Sequence, residues 1–194
     1  MAYRVFIGSS RESLEYAEEI QRNLEMARIP ELEPVCWPTV FGLGSYTLES
    51  LLRALRSSTF GVFVLAPDDY IEIRNEPFRI PRDNVILEMG MFIAGVGREN
   101  TFLVSPYNTD DFTLRLPTDL DGVTLTHYAS HLYDNNIAMQ VTSACSQIKA
   151  TIRDQLRKKI AEMADIEEDK DQKHDLGDNR KKIFDRIKEY QKHI

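Results

Sequence analysis

One carboxylate stands out in the sequence because of the apolar run around it. Between Val85 and Ala94, Glu88 is the only residue that can ionise. Burying a carboxylate in such a run is costly unless it is hydrogen-bonded, paired with a cation or directed into a cavity. Asn84 lies four residues earlier, at the spacing that places both side chains on one face of a helix. This pattern makes Glu88 the candidate catalytic residue. The alternative is a structural glutamate that pairs with an arginine.

Polar residues precede this run and form the start of the same predicted helix. Asp83 is a natural N-cap, and Arg82 supplies a cation beside it. Together with Asn84, both are predicted to contact a substrate. The first 150 residues contain a single lysine, Lys149. Any phosphate bound by this part of the chain must therefore be held by arginines or by backbone N–H groups.

A second candidate region is the turn formed by Gly8, Ser9 and Ser10, which ends an apolar run at residues 3–7. A turn between a strand and a helix presents N–H groups and hydroxyls to an anion, aided by the helix dipole. Ser9 and Glu12 have the spacing of a capping box, which predicts that the helix begins there. The turn has neither a GxGxxG nor a P-loop pattern. A tight turn with a helix cap explains it equally well.

Two further side chains are predicted to contact a ligand. Trp37, the single tryptophan, ends a predicted strand and is suited to stacking on a base or ring, although a core role fits it as well. Asp68 belongs to an acidic pair that follows an apolar run, where it is placed to bind a ribose or a metal. Neither the histidines nor the cysteines have metal-ligand spacing, and no serine or cysteine lies in a nucleophile elbow, so we expect no metal and no catalytic triad.

The order of elements predicts a parallel sheet that would bring these residues together. Apolar runs alternate with helical patterns, which is typical of a three-layer α/β fold of the flavodoxin-like type, with ligands at the carboxyl ends of the strands. Residues 68–81 are predicted to form a polar loop. The five predicted strands cover residues 3–7, 34–37, 60–66, 101–104 and 123–126. Helices are predicted from about residues 9, 47, 83 and 135, the last reaching residue 164.

Composition narrows the classes of partner. The net charge is −7, and residues 1–150 hold 12 basic against 20 acidic side chains, which disfavours nucleic-acid binding. No apolar run approaches the roughly 20 residues of a membrane span. The two cysteines and the lack of a leader-like N-terminus lead us to expect a cytoplasmic protein. Residues 1–164 are predicted to form one domain, and residues 165–194 a charged linker with a short C-terminal helix.

Four segments, in this order along the chain, resemble the TIR-like domains of bacterial antiphage effectors, the type fused to STING or other cyclic-nucleotide sensors. The resemblance covers about residues 3–150, and the combination of segments is more specific than any one of them. No sensor sequence is recognisable after about residue 165. The segments are VFIGSS at 5–10, VLAPDD at 64–69, PRDNVILEMGMF at 81–92 and LPTDLDGV at 116–123.

The resemblance implies a TIR fold and hydrolysis of NAD+ at the nicotinamide–ribose bond, switched on by self-assembly. NAD+ would be a substrate, with no separate cofactor, and a cyclic-nucleotide sensor would be a partner. The family's catalytic glutamate matches Glu88, and its first turn matches Gly8, Ser9 and Ser10. Arg82 and this turn would then hold the pyrophosphate, with Trp37 or Phe6 against a ring. The loop at residues 38–46 matches the family's assembly loop.

Two other functions remain open on the sequence alone. Nucleoside deoxyribosyltransferases resemble this fold and also place a catalytic glutamate before a glycine, as in Glu88-Met89-Gly90. The other alternative is a non-catalytic TIR interaction module in which Glu88 is only structural.

Overall fold

Five parallel strands form the central sheet of the computed structural model, which describes residues 2–40, 48–108, 113–120, 122–130 and 136–161. The strand order is β2-β1-β3-β6-β7, and every neighbouring pair is parallel. This confirms the predicted flavodoxin-like α/β fold. The sheet strands are β1 (Tyr3–Gly8), β2 (Leu32–Cys36), β3 (Phe60–Val64), β6 (Thr101–Pro106) and β7 (Thr124–Tyr128).

Helices follow the strands and cover the sheet. On one face, α3 and α4 share a core with the side chains of Phe6, Phe63 and Leu103. Residues alternate along a strand, so Val5 and Ile7 point to the other face, and both are fully buried. The helices are α1 (Leu14–Glu25), α2 (Trp37–Val40), α3 (Leu48–Ser57), α4 (Asp83–Val96) and α5 (137–161).

An aromatic cluster fixes α4 on the sheet. Phe92 of α4 stacks on Phe6 with ring centroids 4.9 Å apart and meets Phe63 edge-on at 5.3 Å. At Gly61, an added Cβ would lie 2.7 Å from the Phe92 ring, so the glycine permits this close approach. The helix is thereby held with its first turn at the carboxyl ends of β1 and β3.

The predicted polar loop at residues 68–81 is wrong, because this segment is an antiparallel hairpin. Strand β4 (Asp69–Ile73) pairs with β5 (Glu76–Ile80) through a two-residue turn. Arg74 and Asn75 in the turn have φ values of 55° and 65°, as in the turns that match the twist of hairpins. Isoleucines that alternate with polar residues are typical of a strand. The turn lacks the glycine by which a hairpin is usually recognised, so the sequence did not predict one here.

The predicted start of the first helix is wrong, whereas the helix predicted from about residue 83 does begin at Asp83. Helix α1 begins at Leu14 rather than near Ser9, so the predicted capping box does not form, and the Ser13 N–H donates to Ser10 Oγ at 3.2 Å. Asp83 is the first residue of α4 rather than its N-cap, and its carboxylate accepts from the Asn84 N–H at 2.7 Å. Ser9 and Glu12 are thus released from capping and lie beside the cleft described below.

The chain divides into two compact units, Met1–Ile152 and Arg153–Ile194. The first contains the sheet. In the second, the described residues 153–161 are helical, with an exposed Arg157–Asp154 ion pair at 3.3 Å. The predicted linker and C-terminal helix lie outside the described residues, as does most of the predicted assembly loop. Within the described parts of the chain, no helix is long and apolar enough to cross a membrane.

Candidate active site

A cleft of about 360 Å³ opens at the carboxyl ends of the strands. Its walls come from the turn after β1, the start of α2 and the first turns of α4. The structure therefore brings Glu88 together with five of the predicted substrate-binding residues. The lining residues are Ser9, Ser10, Arg11, Glu12, Trp37, Arg82, Asn84, Val85 and Glu88.

Glu88 faces this cleft from an otherwise apolar wall. The residue is 4% exposed, and its carboxyl group has no hydrogen bond or ion pair with any described residue. Burial raises the pKa of Glu88 from 4.5 to about 8, because no cation or donor offsets the loss of water around the charged form. A cation brought close to this carboxyl group would favour its ionised form.

Gly8 leaves room for the Glu88 carboxyl group because it has no side chain. A Cβ at Gly8 would lie 2.8 Å from two carbons of the Phe63 ring and 3.2 Å from Glu88 Oε2. The Glu88 carboxyl group therefore packs directly against the backbone at the end of β1. Gly8, a predicted substrate-binding residue, does not line the cleft. It provides the space that the Glu88 carboxyl group occupies.

Gly8→Ala is expected to lower the free energy of unfolding by about 1–3 kcal/mol, because the added methyl group overpacks the site. Chemical unfolding of the purified chain measures this difference. Gly90→Ala is the matched control: an added Cβ there meets nothing within 4 Å. The control is expected to gain up to about 1 kcal/mol in an α-helix. Equal stability of the two variants would contradict the packing described for Gly8.

Trp37 forms a side wall and is held by the turn after β1. Its Nε1–H donates to Ser9 Oγ at 3.1 Å, and the Ser9 hydroxyl donates to the Ser10 carbonyl oxygen at 2.9 Å. The indole is half-buried, with one part packed against the core. This arrangement presents a fixed aromatic surface to the cleft, as stacking on a ring requires.

Arg82 is already neutralised by two carboxylates. Its Nη2 donates to Glu12 Oε1 at 2.9 Å, and its Nε lies 2.9 Å from Asp69 Oδ2. These neighbours, Asp69 first, raise the pKa of Arg82. The network joins the turn after β1, the hairpin and the start of α4. Because its charge is already paired, Arg82 is better suited to positioning these three segments than to binding a phosphate.

Arg11 is a cleft residue that the sequence reasoning missed. It is exposed and has no ion pair with the described residues. The predicted capping box would place residues 9–12 at a helix start, so it gave Arg11 no role. In the sequence, Arg11 is the first cation after the turn, in a segment where cations are scarce.

Besides Gly8, three predicted substrate-binding residues do not line the cleft. Phe6 is 1% exposed within the aromatic cluster and cannot reach a ligand. Asp68 does not line the cleft, and burial raises the pKa of its carboxyl group. Its Oδ2 is buried and has no hydrogen-bond partner among the described residues. Asp83 lines a separate, more apolar cavity of about 480 Å³ beside the hairpin.

Metal-binding residues do not assemble in this region. Across the described ranges, no group of three His, Cys, Asp or Glu side chains is arranged to hold a metal ion. The Glu88 environment, apolar and without a second carboxylate in contact, also differs from the oxygen-rich sites that divalent cations prefer.

Comparison with known proteins agrees with the fold. A domain model described as CAP12/Pycsar effector protein, TIR domain, matches residues 4–130. The Pycsar effector protein PaPycTIR of Pseudomonas aeruginosa is 35% identical over 145 residues, which are 75% of this chain and 46% of that protein. CD-NTase-associated protein 12 of Sphingobacterium faecium is 33% identical over 166 residues, 86% of this chain and 46% of that protein.

A further relative, the Pycsar effector protein XpPycTIR of Xanthomonas perforans, is 35% identical over 150 residues. These cover 77% of this chain and 47% of that protein. The chain thus spans about half the length of the curated relatives it matches. The residues that the domain model matches, 4–130, include every residue that lines the cleft. The chain belongs to the CAP12/Pycsar effector TIR domain family.

Proposed function

We propose that this TIR domain is an effector of antiphage defence and that its cleft hydrolyses NAD+ at the bond between nicotinamide and ribose. The observation that carries the proposal is the position of Glu88, which is buried, lines the cleft and has no hydrogen-bond or ion-pair partner among the described residues. A glutamate that served only to fix the helix would be paired with a cation or a donor.

The chemistry of this bond suits a single carboxylate. Nicotinamide leaves as a neutral molecule, so its departure needs no strong general acid. Positive charge develops on the ribose, as in glycoside cleavage. Ionised Glu88 in a low-dielectric wall would stabilise that charge. Water then adds to the ribose carbon and loses one proton, giving ADP-ribose, nicotinamide and H+.

Binding of the substrate would itself ionise Glu88. NAD+ carries its positive charge on the nicotinamide ring, and a cation near a buried carboxyl group lowers that group's pKa. A proton on Glu88 would then leave to solvent. The same burial that disfavours the charged form of Glu88 strengthens its attraction to a cationic substrate.

The anionic part of NAD+ would lie at the opposite end of the cleft. Arg11 supplies a cation there, and the N-terminal end of α1 contributes backbone N–H groups and the positive end of its dipole. The Trp37 indole, fixed by Ser9, provides the surface for a ring.

Arg11→Gln is expected to raise KM for NAD+ roughly tenfold, which corresponds to about 1.4 kcal/mol of lost binding, with a smaller effect on kcat. Initial rates of nicotinamide release over a range of NAD+ concentrations give both constants. Arg56→Gln, on the exposed side of α3, removes the same charge away from the cleft and should leave KM unchanged. Equal effects of the two substitutions would show that only overall charge matters.

The three possible functions separate in one experiment. The purified chain is incubated either with NAD+ or with a deoxynucleoside and a second free base, and the products are resolved by chromatography. The proposal expects nicotinamide and ADP-ribose from the first mixture and no reaction in the second. Base exchange in the second mixture would indicate a deoxyribosyltransferase. No turnover of either, at any protein concentration, would indicate an interaction module.

We also propose that turnover depends on self-assembly and that a cyclic-nucleotide sensor supplies it. Two observations support this proposal. Several relatives are named CD-NTase-associated proteins, and this chain does not cover about half of their length. A sensor in that part would raise the local concentration of TIR domains.

A further inference from the structure

Glu12 places a negative charge at the end of the cleft where the anionic part of the substrate would lie. It lines the cleft beside Arg11, one residue before the N-cap of α1 at Ser13. A cleft that served only to attract a pyrophosphate would not carry a carboxylate at this end, because like charges repel. The presence of Glu12 therefore calls for a separate role.

Pairing with Arg82 does not fully account for Glu12. Arg82 Nη2 donates to Glu12 Oε1 at 2.9 Å, and Arg82 Nε lies 2.9 Å from Asp69 Oδ2. Asp69 does not line the cleft and is a sufficient counterion for Arg82. The Glu12 side chain remains 56% exposed in this pair, so its carboxylate still acts on whatever enters the cleft.

Glu12 is ionised at neutral pH. The hydrogen bond from its own backbone N–H lowers the pKa of the carboxyl group, and the neighbouring Arg82 guanidinium lowers this pKa further. The positive end of the α1 dipole also favours a carboxylate just before the helix.

The charges that line the cleft leave one arginine for an anion. Arg82 is paired, whereas Arg11 has no ion pair with any described residue. With Glu88 ionised, the four ionisable residues that line the cleft carry no net charge. NAD+ has two negative charges on its pyrophosphate and one positive charge on its nicotinamide ring. Arg11 and Glu88 match these two parts of the molecule.

A dinucleotide with one more phosphate does not match this end of the cleft. NADP+ differs from NAD+ by a phosphate on the 2′-oxygen of the adenosine ribose, which adds about two negative charges near pH 7. One ribose separates this phosphate from the pyrophosphate, a distance comparable with the Debye length of about 8 Å at physiological salt. Its repulsion by Glu12 is therefore only partly screened, and Arg11 is already engaged by the pyrophosphate.

The same selection is used in dinucleotide-binding folds of the Rossmann type. There an acidic residue at the adenosine ribose selects NAD, and an arginine accommodates the 2′-phosphate of NADP. We propose that Glu12 determines the substrate specificity of this cleft, and that its carboxylate admits NAD+ and excludes NADP+. The proposal rests on the proposed NAD+ reaction, for which it names the discriminating residue.

The fluorescence of Trp37 measures this discrimination without turnover. Trp37 is the single tryptophan of the chain and lines the cleft, so a ligand bound there changes its emission. In the Glu88→Gln chain, which is expected to consume neither ligand, NADP+ should bind about tenfold more weakly than NAD+. The added phosphate carries about two charges, and an exposed charge pair changes affinity by up to about fivefold. Adding Glu12→Gln should bring the two dissociation constants close to equality. An unchanged ratio would overturn the proposal.

Two further substitutions separate Glu12 from its neighbours. Glu18→Gln removes the same charge from an exposed position of α1 outside the cleft and should leave the ratio of dissociation constants unchanged. Asp69→Asn removes the other partner of Arg82 but keeps the carboxylate in the cleft, so NAD+ should still be preferred. A ratio that falls as far in Asp69→Asn as in Glu12→Gln would assign the effect to Arg82 and overturn the role of Glu12.

Salt gives an independent readout. Because Glu12 is exposed, raising NaCl from about 0.05 M to about 0.5 M should weaken the preference for NAD+ only in chains that retain Glu12. A Glu12-dependent preference for NAD+, with no nicotinamide released by the parent chain, would overturn the proposed reaction and keep the role of Glu12. Nicotinamide release with equal kcat/KM for NAD+ and NADP+ would overturn that role and keep the reaction.

Discussion

Glu88→Gln is expected to reduce nicotinamide release from NAD+ about 10³-fold or more. The amide has nearly the shape of the carboxyl group but cannot become negative when positive charge develops on the ribose. Losing one preorganised electrostatic group at a reacting centre typically costs about 3–4 kcal/mol, which is a factor of about 10²–10³ in rate. The loss here should lie at the upper end, because Glu12, the other carboxylate that lines the cleft, is paired with Arg82.

The fold should survive this substitution, so the loss is interpretable. Circular dichroism and the cooperativity of thermal unfolding would establish that the Glu88→Gln chain is native. Glu49→Gln makes the same chemical change at an exposed position in the first turn of α3 and should keep full activity. A Glu88→Gln chain that cleaves NAD+ within a few-fold of the parent rate would remove the basis for a catalytic carboxylate.

The same substitution is expected to stabilise the protein, and to do so more at high pH. Glu88 has its pKa raised to about 8 in the folded chain against 4.5 as the ordinary value. Below about pH 4.5 both states hold the proton, and the carboxyl group costs the fold nothing. As the pH rises towards 8, the unfolded chain releases its proton while the folded chain retains it, so stability falls. Above about pH 8 the full cost of a buried carboxylate applies.

At about 1.4 kcal/mol per pKa unit, this cost reaches roughly 2–5 kcal/mol. Glutamine stays neutral at every pH, so the advantage of Glu88→Gln over the parent should grow between about pH 5 and pH 9. Urea unfolding of both chains across this interval measures it. A difference that does not change with pH would mean that Glu88 titrates normally in the fold. A gain in stability with a loss of activity would show that this glutamate is retained for function.

The periodicity of the chain was sufficient to predict the sheet and the catalytic candidate. Five short apolar runs alternating with helical patterns indicate parallel strands, because a strand buried on both faces carries apolar side chains at successive positions. The spacing of Asn84 and Glu88 placed both on one side of α4, and the structure brings both to the cleft. Asp83 lies on a different face of α4, and it lines the second cavity, beside the hairpin. One residue along a helix changes the direction by about 100°.

Periodicity does not predict how far along a strand a residue lies from the cleft. Phe6 and Gly8 point to the same face of β1, since side chains alternate. Gly8 ends the strand beneath Glu88, whereas Phe6 lies one step further in, under Phe92. Only the position of α4 over the sheet distinguishes the two. Long-range ion pairs were equally hidden: Arg82 meets Glu12 from a point 70 residues away in the sequence.

The most direct test of Glu88 as the catalytic carboxylate is proton NMR of NAD+ incubated with the parent chain and with Glu88→Gln, each at a series of protein concentrations. The parent chain should release nicotinamide and ADP-ribose in equal amounts, at a rate that rises more steeply than the protein concentration. Glu88→Gln should leave NAD+ intact throughout. Intact NAD+ at every concentration of the parent chain, or equal release by both chains, would contradict the proposed reaction.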